Sequence, residues 1–174
     1  MLDISSFDIN EIIRKTILTF EGVCAQKKIK FNLTFSDKNT YVDADYGKIQ
    51  QVIYNLIDNA VKFSHNNSEI KISLRKKGAK VFVSVKDSGI GIPKESLNKV
   101  FDRFYKTDIS RGKDKRGTGL GLSISKEIIQ AHNQTINVVS TVDVGTEFVF
   151  TLKYHSRPPK SRNFIEFIKD KYKI

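Results

Sequence analysis

A two-layer α/β sandwich, with a mixed sheet packed against three helices, is the fold class this sequence predicts. Two patterns carry the expectation. Apolar residues recur at helical spacing in three segments, and in shorter segments between them they alternate with polar residues. A chain of 174 residues is long enough for one domain with a substantial buried core.

The elements follow in order. Asp8-Ile-Asn-Glu11 reads as a capping box, an acceptor side chain three residues ahead of a glutamate. Ile9, Ile12, Ile13, Ile17, Phe20 and Cys24 then keep the helical period and predict one helix across that span. Phe31, Leu33 and Phe35 alternate with polar residues as a half-buried strand does. A second helix is expected from about Asp45 to Phe63, with Ile49, Val52, Ile53, Leu56, Ile57, Ala60 and Val61 as its core face. Ile70, Ile72 and Leu74, then Val81, Val83 and Val85, form a hairpin around Lys77-Gly78. Residues 94–118 make a polar connection of a length usually reserved for functional lids. A third helix is expected from about Leu120 to Ala131, closed near Asn133, a residue that tolerates the left-handed C-cap. Strands over Thr135–Ser140 and Glu147–Lys153 complete the domain.

Bulk composition excludes several classes of function. Hydrophobic residues make up 39% and charged residues 28%, as in an ordinary soluble protein. No apolar run reaches the roughly 18 to 20 residues needed to span a bilayer, and the first residues lack the blocks of a signal peptide. The sequence therefore has cytosolic character, or is a piece of something larger. Cys24 alone cannot make an internal disulfide and is read as packing, and His65, His132 and His155 lack metal-ligand spacing. The net charge of +11 is uneven: residues from Lys153 onward hold seven Lys/Arg and two Asp/Glu. No nucleic-acid-binding motif accompanies it, so no nucleic-acid partner is expected.

Four short segments carry chemistry. On the second helix Asn55, Asn59 and Lys62 fall within roughly 60° of one another, beside the core face. A carboxamide oxygen suits Mg²⁺, and lysine brings positive charge to phosphate. In Asp87-Ser-Gly-Ile-Gly-Ile-Pro93 a carboxylate can accept from the exocyclic amine of adenine, while Gly89 and Gly91 let the backbone close on the base. In Phe101-Asp-Arg-Phe-Tyr-Lys106, Phe101 and Phe104 need burial and should pin the base of the long connection. Lys106, Arg111 and Arg116 are then placed to reach phosphate oxygens, whereas Lys113 and Lys115 read as solvated. Gly117-Thr-Gly-Leu-Gly-Leu122 opens the third helix with N–H groups that can cradle a polyphosphate; a basic loop precedes it, where a Rossmann fingerprint would need a strand.

The set and its order resemble the catalytic ATP-binding domain of bacterial two-component sensor histidine kinases, over about Phe7 to Leu152. The resemblance implies a Bergerat-type ATP-binding fold, ATP and Mg²⁺ as ligands, and transfer of the γ-phosphate to a histidine. It implies a site built from Asn55, Asn59, Lys62, Phe63, Asp87, Gly89, Gly91, Ile92, Tyr105, Lys106, Arg111, Gly117, Thr118, Gly119, Leu120, Gly121, Leu122 and Thr146, with Asn59 as the metal ligand and Asn55 and Lys106 in catalytic roles. Asn55 stands where the gyrase-like ATPases of the wider superfamily carry a water-activating glutamate. An amide cannot take a proton from water, which favours phosphoryl transfer over hydrolysis. Lys106 stands where arginine is usual, keeping the charge and losing the bidentate fork.

No histidine here has the family's phosphoacceptor context. The expected partners are therefore a dimerising helical phosphoacceptor domain outside this chain and a response regulator, with the domain itself monomeric and nearly inactive alone. The resemblance further implies a cytoplasmic domain of a membrane-anchored kinase, its membrane contact made through parts absent from this chain. An anti-sigma-factor-type serine kinase, or a non-catalytic nucleotide-sensing or docking module, are the alternatives. Residues 1–154 are expected to form the domain and 155–174 a basic tail, with a short amphipathic helix opened by Asn163 to Glu166.

Overall fold

The computed structural model describes residues 1–106, 119–156, 169, 172 and 173. Chain order runs β1 (Ile4–Asp8), α1 (Ile9–Thr19), α2 (Glu21–Lys27), β2 (Lys30–Phe35), β3 (Tyr41–Asp45), α3 (Tyr46–Phe63), β4 (Glu69–Lys77), β5 (Lys80–Asp87), α4 (Gly121–Ala131), β6 (Ile136–Thr141) and β7 (Gly145–Tyr154), with one turn of 3₁₀ helix at Lys94–Ser96. The seven strands form a single mixed sheet in the order β1-β3-β7-β5-β4-β2, with β6 also on β7. Only β2 and β4 pair in parallel.

β7 organises the sheet. One edge pairs with β5 along its length, from Lys80↔Lys153 to Asp87↔Thr146. The other edge is shared: β6 takes Gly145 to Phe150, and β3 takes Lys153 and Tyr154. Alternation along β4, β5 and β7 sends Ile70, Ile72, Leu74, Val81, Val83, Val85, Phe148, Phe150 and Leu152 to one face, where they join the apolar stripe of α3 in one buried cluster. The opposite face carries polar and charged residues. The expected two-layer sandwich is therefore the architecture found.

Three details differ from the sequence reading. The first helix is two helices, so the sheet packs against four and not three. The chain bends at Phe20 (φ −97°, ψ 5°), whose N–H bonds the Ile17 carbonyl at 3.0 Å. Phe20 and Cys24 are both buried, with the Phe20 ring 5.2 Å from that of Tyr54 on α3. The apolar period therefore survives a break in the backbone, because it records a face and not continuity of hydrogen bonding. The capping box is also only half formed. Asp8 Oδ1 accepts from Asn10 N and Thr40 N, both at 3.0 Å, while Glu11 reaches Lys15 at 2.9 Å. Finally, β1 and β3 were not anticipated. β3 buries only Val42 and Ala44, too few alternating apolar positions to register as a strand.

The expectations for α3, the β4–β5 hairpin and the C-terminal end of α4 hold. α3 begins after Asp45, whose Oδ1 accepts from Lys48 N at 3.1 Å, and ends at Phe63. Gly78 turns the β4–β5 hairpin at φ 61°, and Asn133 follows α4 in the left-handed region at φ 56°. Cys24 is packing, 5% exposed. Of the helix expected in the tail, Lys169 and Tyr172 are described and helical, and the rest lies outside the described residues.

Phe150 has no exposed surface and lies in the sheet between Val83 of β5 and Ile136 of β6, within the buried cluster shared with α3. Phe150→Ala should cost about 3–5 kcal/mol through lost burial and the cavity left behind, read as a lower urea midpoint with the slope retained.

Candidate nucleotide site

The polar flank of α3 is the floor of the site. Asn55, Asn59, Lys62 and Phe63 span nine residues of α3, eight steps that rise roughly 12 Å. Each end of that stretch is met by one of the glycine segments.

At the Phe63 end the chain after β5 passes against the last turn of α3. Ile90 N donates to Phe63 O at 3.2 Å. A Cβ on Gly89 would lie 2.0 Å from that carbonyl oxygen, so only glycine fits there. Gly91 has φ 72°, and a Cβ on it would sit 2.2 Å from Thr141 O. Asp87 closes β5 with 5% of its surface exposed, and its Oδ1 accepts from Gly89 N at 2.9 Å. Burial raises the Asp87 carboxyl above the ordinary carboxylate range. The backbone N–H groups of Gly89 and Thr146 and the charge of His65 oppose that rise.

Beside Asp87 lies a hydroxyl pair that the sequence reading missed in part. Thr146 was expected; Ser140 was not. Ser140 Oγ accepts from Ile92 N at 2.8 Å, donates to Gly145 O at 2.9 Å, and lies 2.7 Å from Thr146 Oγ1. One hydroxyl thus stitches the glycine turn to the start of β7. A serine near a strand end is too common to stand out in a sequence, and only the register of β6 against β7 brings it here.

At the other end, Asn55 Nδ2 donates to Gly121 O at 3.1 Å and to Ser125 Oγ at 3.3 Å. Asn55 therefore ties α3 to the first turn of α4. Leu120 supplies no side-chain cap to α4, Gly119 O accepts from Phe104 N at 3.1 Å, and Leu122 packs against the core. The far end of α4 is tied as well: His132 Nε2 accepts from Asp45 N at 3.0 Å, and its Nδ1 lies 2.7 Å from Ile128 O.

Between the two ends, Lys62 pairs with Asp58 at 3.0 Å. Asn59 is half-buried, and among the described residues none hydrogen-bonds its side chain. The aromatic segment splits. Phe101 packs edge-on against Phe148 at 6.0 Å with Lys126 over its ring, and Tyr105 donates to Ser96 Oγ at 2.9 Å. Phe104 is 69% exposed with φ 62°, which corrects the expectation that it is buried. A left-handed backbone there aims its ring away from the core, and the exposed Arg103–Glu127 pair holds the segment to α4 in its place. Lys106 is half-buried. Arg111, Gly117 and Thr118 lie outside the described residues, as do Lys113, Lys115 and Arg116. No group of three or more His, Cys, Asp or Glu able to hold a metal occurs among the described residues.

A buried carboxylate in the glycine turn that ends β5, a carboxamide and lysine flank on α3, and the start of α4, where Leu120 supplies no side-chain cap, together define a nucleotide-binding domain of the histidine-kinase type. The chain belongs to the histidine kinase-, DNA gyrase B- and HSP90-like ATPase family, whose family model matches residues 44–156. It is 42% identical over 131 residues to sensor histidine kinase WalK of Bacillus subtilis, covering 74% of this chain and 21% of WalK. Sensor protein RprX of Bacteroides fragilis is 38% identical over 153 residues, covering 87% of this chain and 30% of RprX. The chain thus spans less than a third of either relative.

Among solved structures, the nucleotide-free catalytic domain of histidine kinase ThkA superposes with a TM-score of 0.78 at 34% identity, covering 87% of this chain and 96% of that one. ThkA in complex with the response regulator TrrA gives 0.74 at 32%, covering 88% and 43%. Full-length ShkA in complex with AMPPNP gives 0.79 at 25%, covering 93% and 33%.

Asp87 makes a signed prediction. Between the ordinary carboxylate value of the unfolded chain and the raised value in the fold, the native state holds the extra proton. The contribution of Asp87 to stability therefore falls as pH rises through that window, and stays lost above it. Asp87→Asn without nucleotide should be at least as stable as wild type at neutral pH, and its advantage should vanish below the ordinary carboxylate range. Urea titrations at the two pH values check this. Gly89→Ala should in contrast lower stability at both, because the added methyl displaces the end of α3.

Proposed function

We propose that residues 1–154 are the catalytic ATP-binding domain of a two-component sensor histidine kinase, with residues 155–174 a basic tail. In this reading the chain binds ATP with Mg²⁺ and passes the γ-phosphoryl group to a histidine on a separate dimerising helical domain, from which it moves to a response-regulator aspartate. The kinase acts at the membrane through parts outside this chain; no helix among the described residues is long and apolar enough to cross one.

The observation that carries the reading is the state of Asn55. Its NH₂ is committed to Gly121 O and Ser125 Oγ, so it braces the two helices that flank the phosphates. It has no carboxylate with which to activate water, which supports transfer over hydrolysis. Asp87 accepts from the adenine amine, with Thr146 beside it and Phe63 and Ile92 lining the base. The Lys62–Asp58 pair is partly exposed and weak, so Lys62 is easily exchanged onto phosphate. Lys106 and Arg111 add charge at the γ-phosphoryl group, and the backbone from Gly117 to Leu122 cradles the chain of phosphates. Asn59, with an unengaged carboxamide oxygen, fits a hard divalent cation, and Mg²⁺ bound there would neutralise charge on the phosphate oxygens. Two of the three histidines are engaged in ways that support an acceptor elsewhere: His132 bonds backbone at both ring nitrogens, and His155 sits 2.9 Å from Asp43.

Calorimetric titration with a non-hydrolysable ATP analogue tests the site. Asp87→Asn should weaken binding roughly ten- to a hundredfold, the value of one charge-assisted hydrogen bond. Unchanged affinity would remove the adenine assignment. Asn59→Ala should keep metal-free affinity and lose the part that depends on Mg²⁺. The reaction is tested by supplying ATP and a dimeric helical acceptor domain in trans, with acid-labile phosphate on its histidine as the expected product. Binding without transfer to any such domain would favour a docking module, and phosphoserine would favour the serine-kinase alternative.

A further inference from the structure

The face of the sheet turned away from the helices carries an excess of basic residues over acidic ones. Alternation along β4, β5 and β7 places Lys71, Arg75, Lys77, Lys80, Lys86 and Lys153 on that face, each exposed. Register brings them together. Lys71 lies directly opposite Lys86, Lys77 opposite Lys80, and Lys80 opposite Lys153. Like charges directly opposite across a ladder destabilise a sheet, so three such pairs in adjoining strands are a cost the fold carries. Three carboxylates share this face: Glu147, opposite Lys86, accepts a hydrogen bond from Ser84 Oγ at 3.0 Å, Asp43, opposite Lys153, pairs with His155, and Glu69 opens β4. Among the described residues none of the six cations is in an ion pair.

We propose that this sheet face docks on an anionic lipid bilayer. Charge complementarity demands a polyanionic partner, and three features select the bilayer. Among the described residues of β4, β5 and β7, the aromatic ring on this face, Phe82, is half-buried and covered by the Arg75 guanidinium, so it offers no open platform for stacking bases. Five of the six cations are lysine, a point charge suited to a diffuse anionic surface, where bidentate phosphate recognition and protein interfaces favour arginine. Apolar side chains are interspersed among them: Phe82 lies under the Arg75 guanidinium at 5.5 Å, and Val139 on neighbouring β6 is 68% exposed. Basic residues around accessible apolar ones are the composition of a membrane-surface contact. The expectation that membrane contact belongs only to parts outside the chain is thereby extended. Docked this way, the helical layer and the nucleotide site face away from the lipid.

Vesicle co-sedimentation of the full chain tests the proposal, comparing neutral phosphatidylcholine with phosphatidylcholine carrying phosphatidylserine. Wild type should bind the anionic vesicles in low salt, ignore the neutral ones, and dissociate as salt is raised. Lys71→Gln, Lys80→Gln and Lys153→Gln together, all distant from the nucleotide site, should weaken vesicle binding on the order of 100-fold, about fivefold per lysine. The same variant should bind the ATP analogue like wild type, which separates loss of the face from loss of the fold. Equal vesicle binding by wild type and variant would overturn the proposal and move the contact to the tail. Tighter binding to duplex DNA or to an acidic protein than to the vesicles, lost in the variant, would overturn it in favour of that partner.

Discussion

β7 has two edges and three partner strands, and the site exists because of how it divides them. β5 takes one edge and delivers Asp87 opposite Thr146. β6 takes the first half of the other edge and brings Ser140 onto Thr146 and its Thr141 turn beneath Gly91. β3 takes the remainder and runs directly into α3 through the Asp45 cap. Asp87, Ser140 and Thr146 thus meet at one end of β7 while β3 pairs at the other, with every register fixed by backbone hydrogen bonds. A one-residue slip of any of these strands would turn its inward residues outward, so burial of Phe148, Phe150 and Leu152 enforces the geometry around Asp87.

Much of this was legible beforehand because the signals are local. The stripe of α3 gave both a core face and a polar flank, and Asp87-Ser-Gly-Ile-Gly contains the carboxylate, the turn and the clearance within five residues. Other parts depend on pairing over long distances. β1 and β3 are short and bury few apolar residues, so nothing in their composition marks them as strands before the β7 edge is known. Ser140 is defined by its register opposite Thr146. Phe104 misled because aromaticity argues for burial while backbone conformation decides where the ring points. The fracture at Phe20 was hidden because both half-helices keep the same buried face.

The site also separates rigid from exchangeable groups. Asp87, the glycine turn, Ser140 and Thr146 are locked by backbone bonds and burial, as suits the reading of a fixed base. Arg103 is joined to Glu127 by an exposed ion pair, and Lys62 to Asp58 by a partly exposed one, contacts that individually contribute little. Among the described residues, stiffness therefore falls from the buried groups around Asp87 toward these surface pairs.

α4 is fastened at its C-terminal end by His132, which joins the Ile128 carbonyl to the backbone N–H that begins α3. At its N-terminal end it is held through side-chain contacts with Asn55. Each anchor is a side chain of one helix on the backbone at or beside the other, so α3 and α4 are indexed against each other near both ends, and a shift of one helix must be shared by the other.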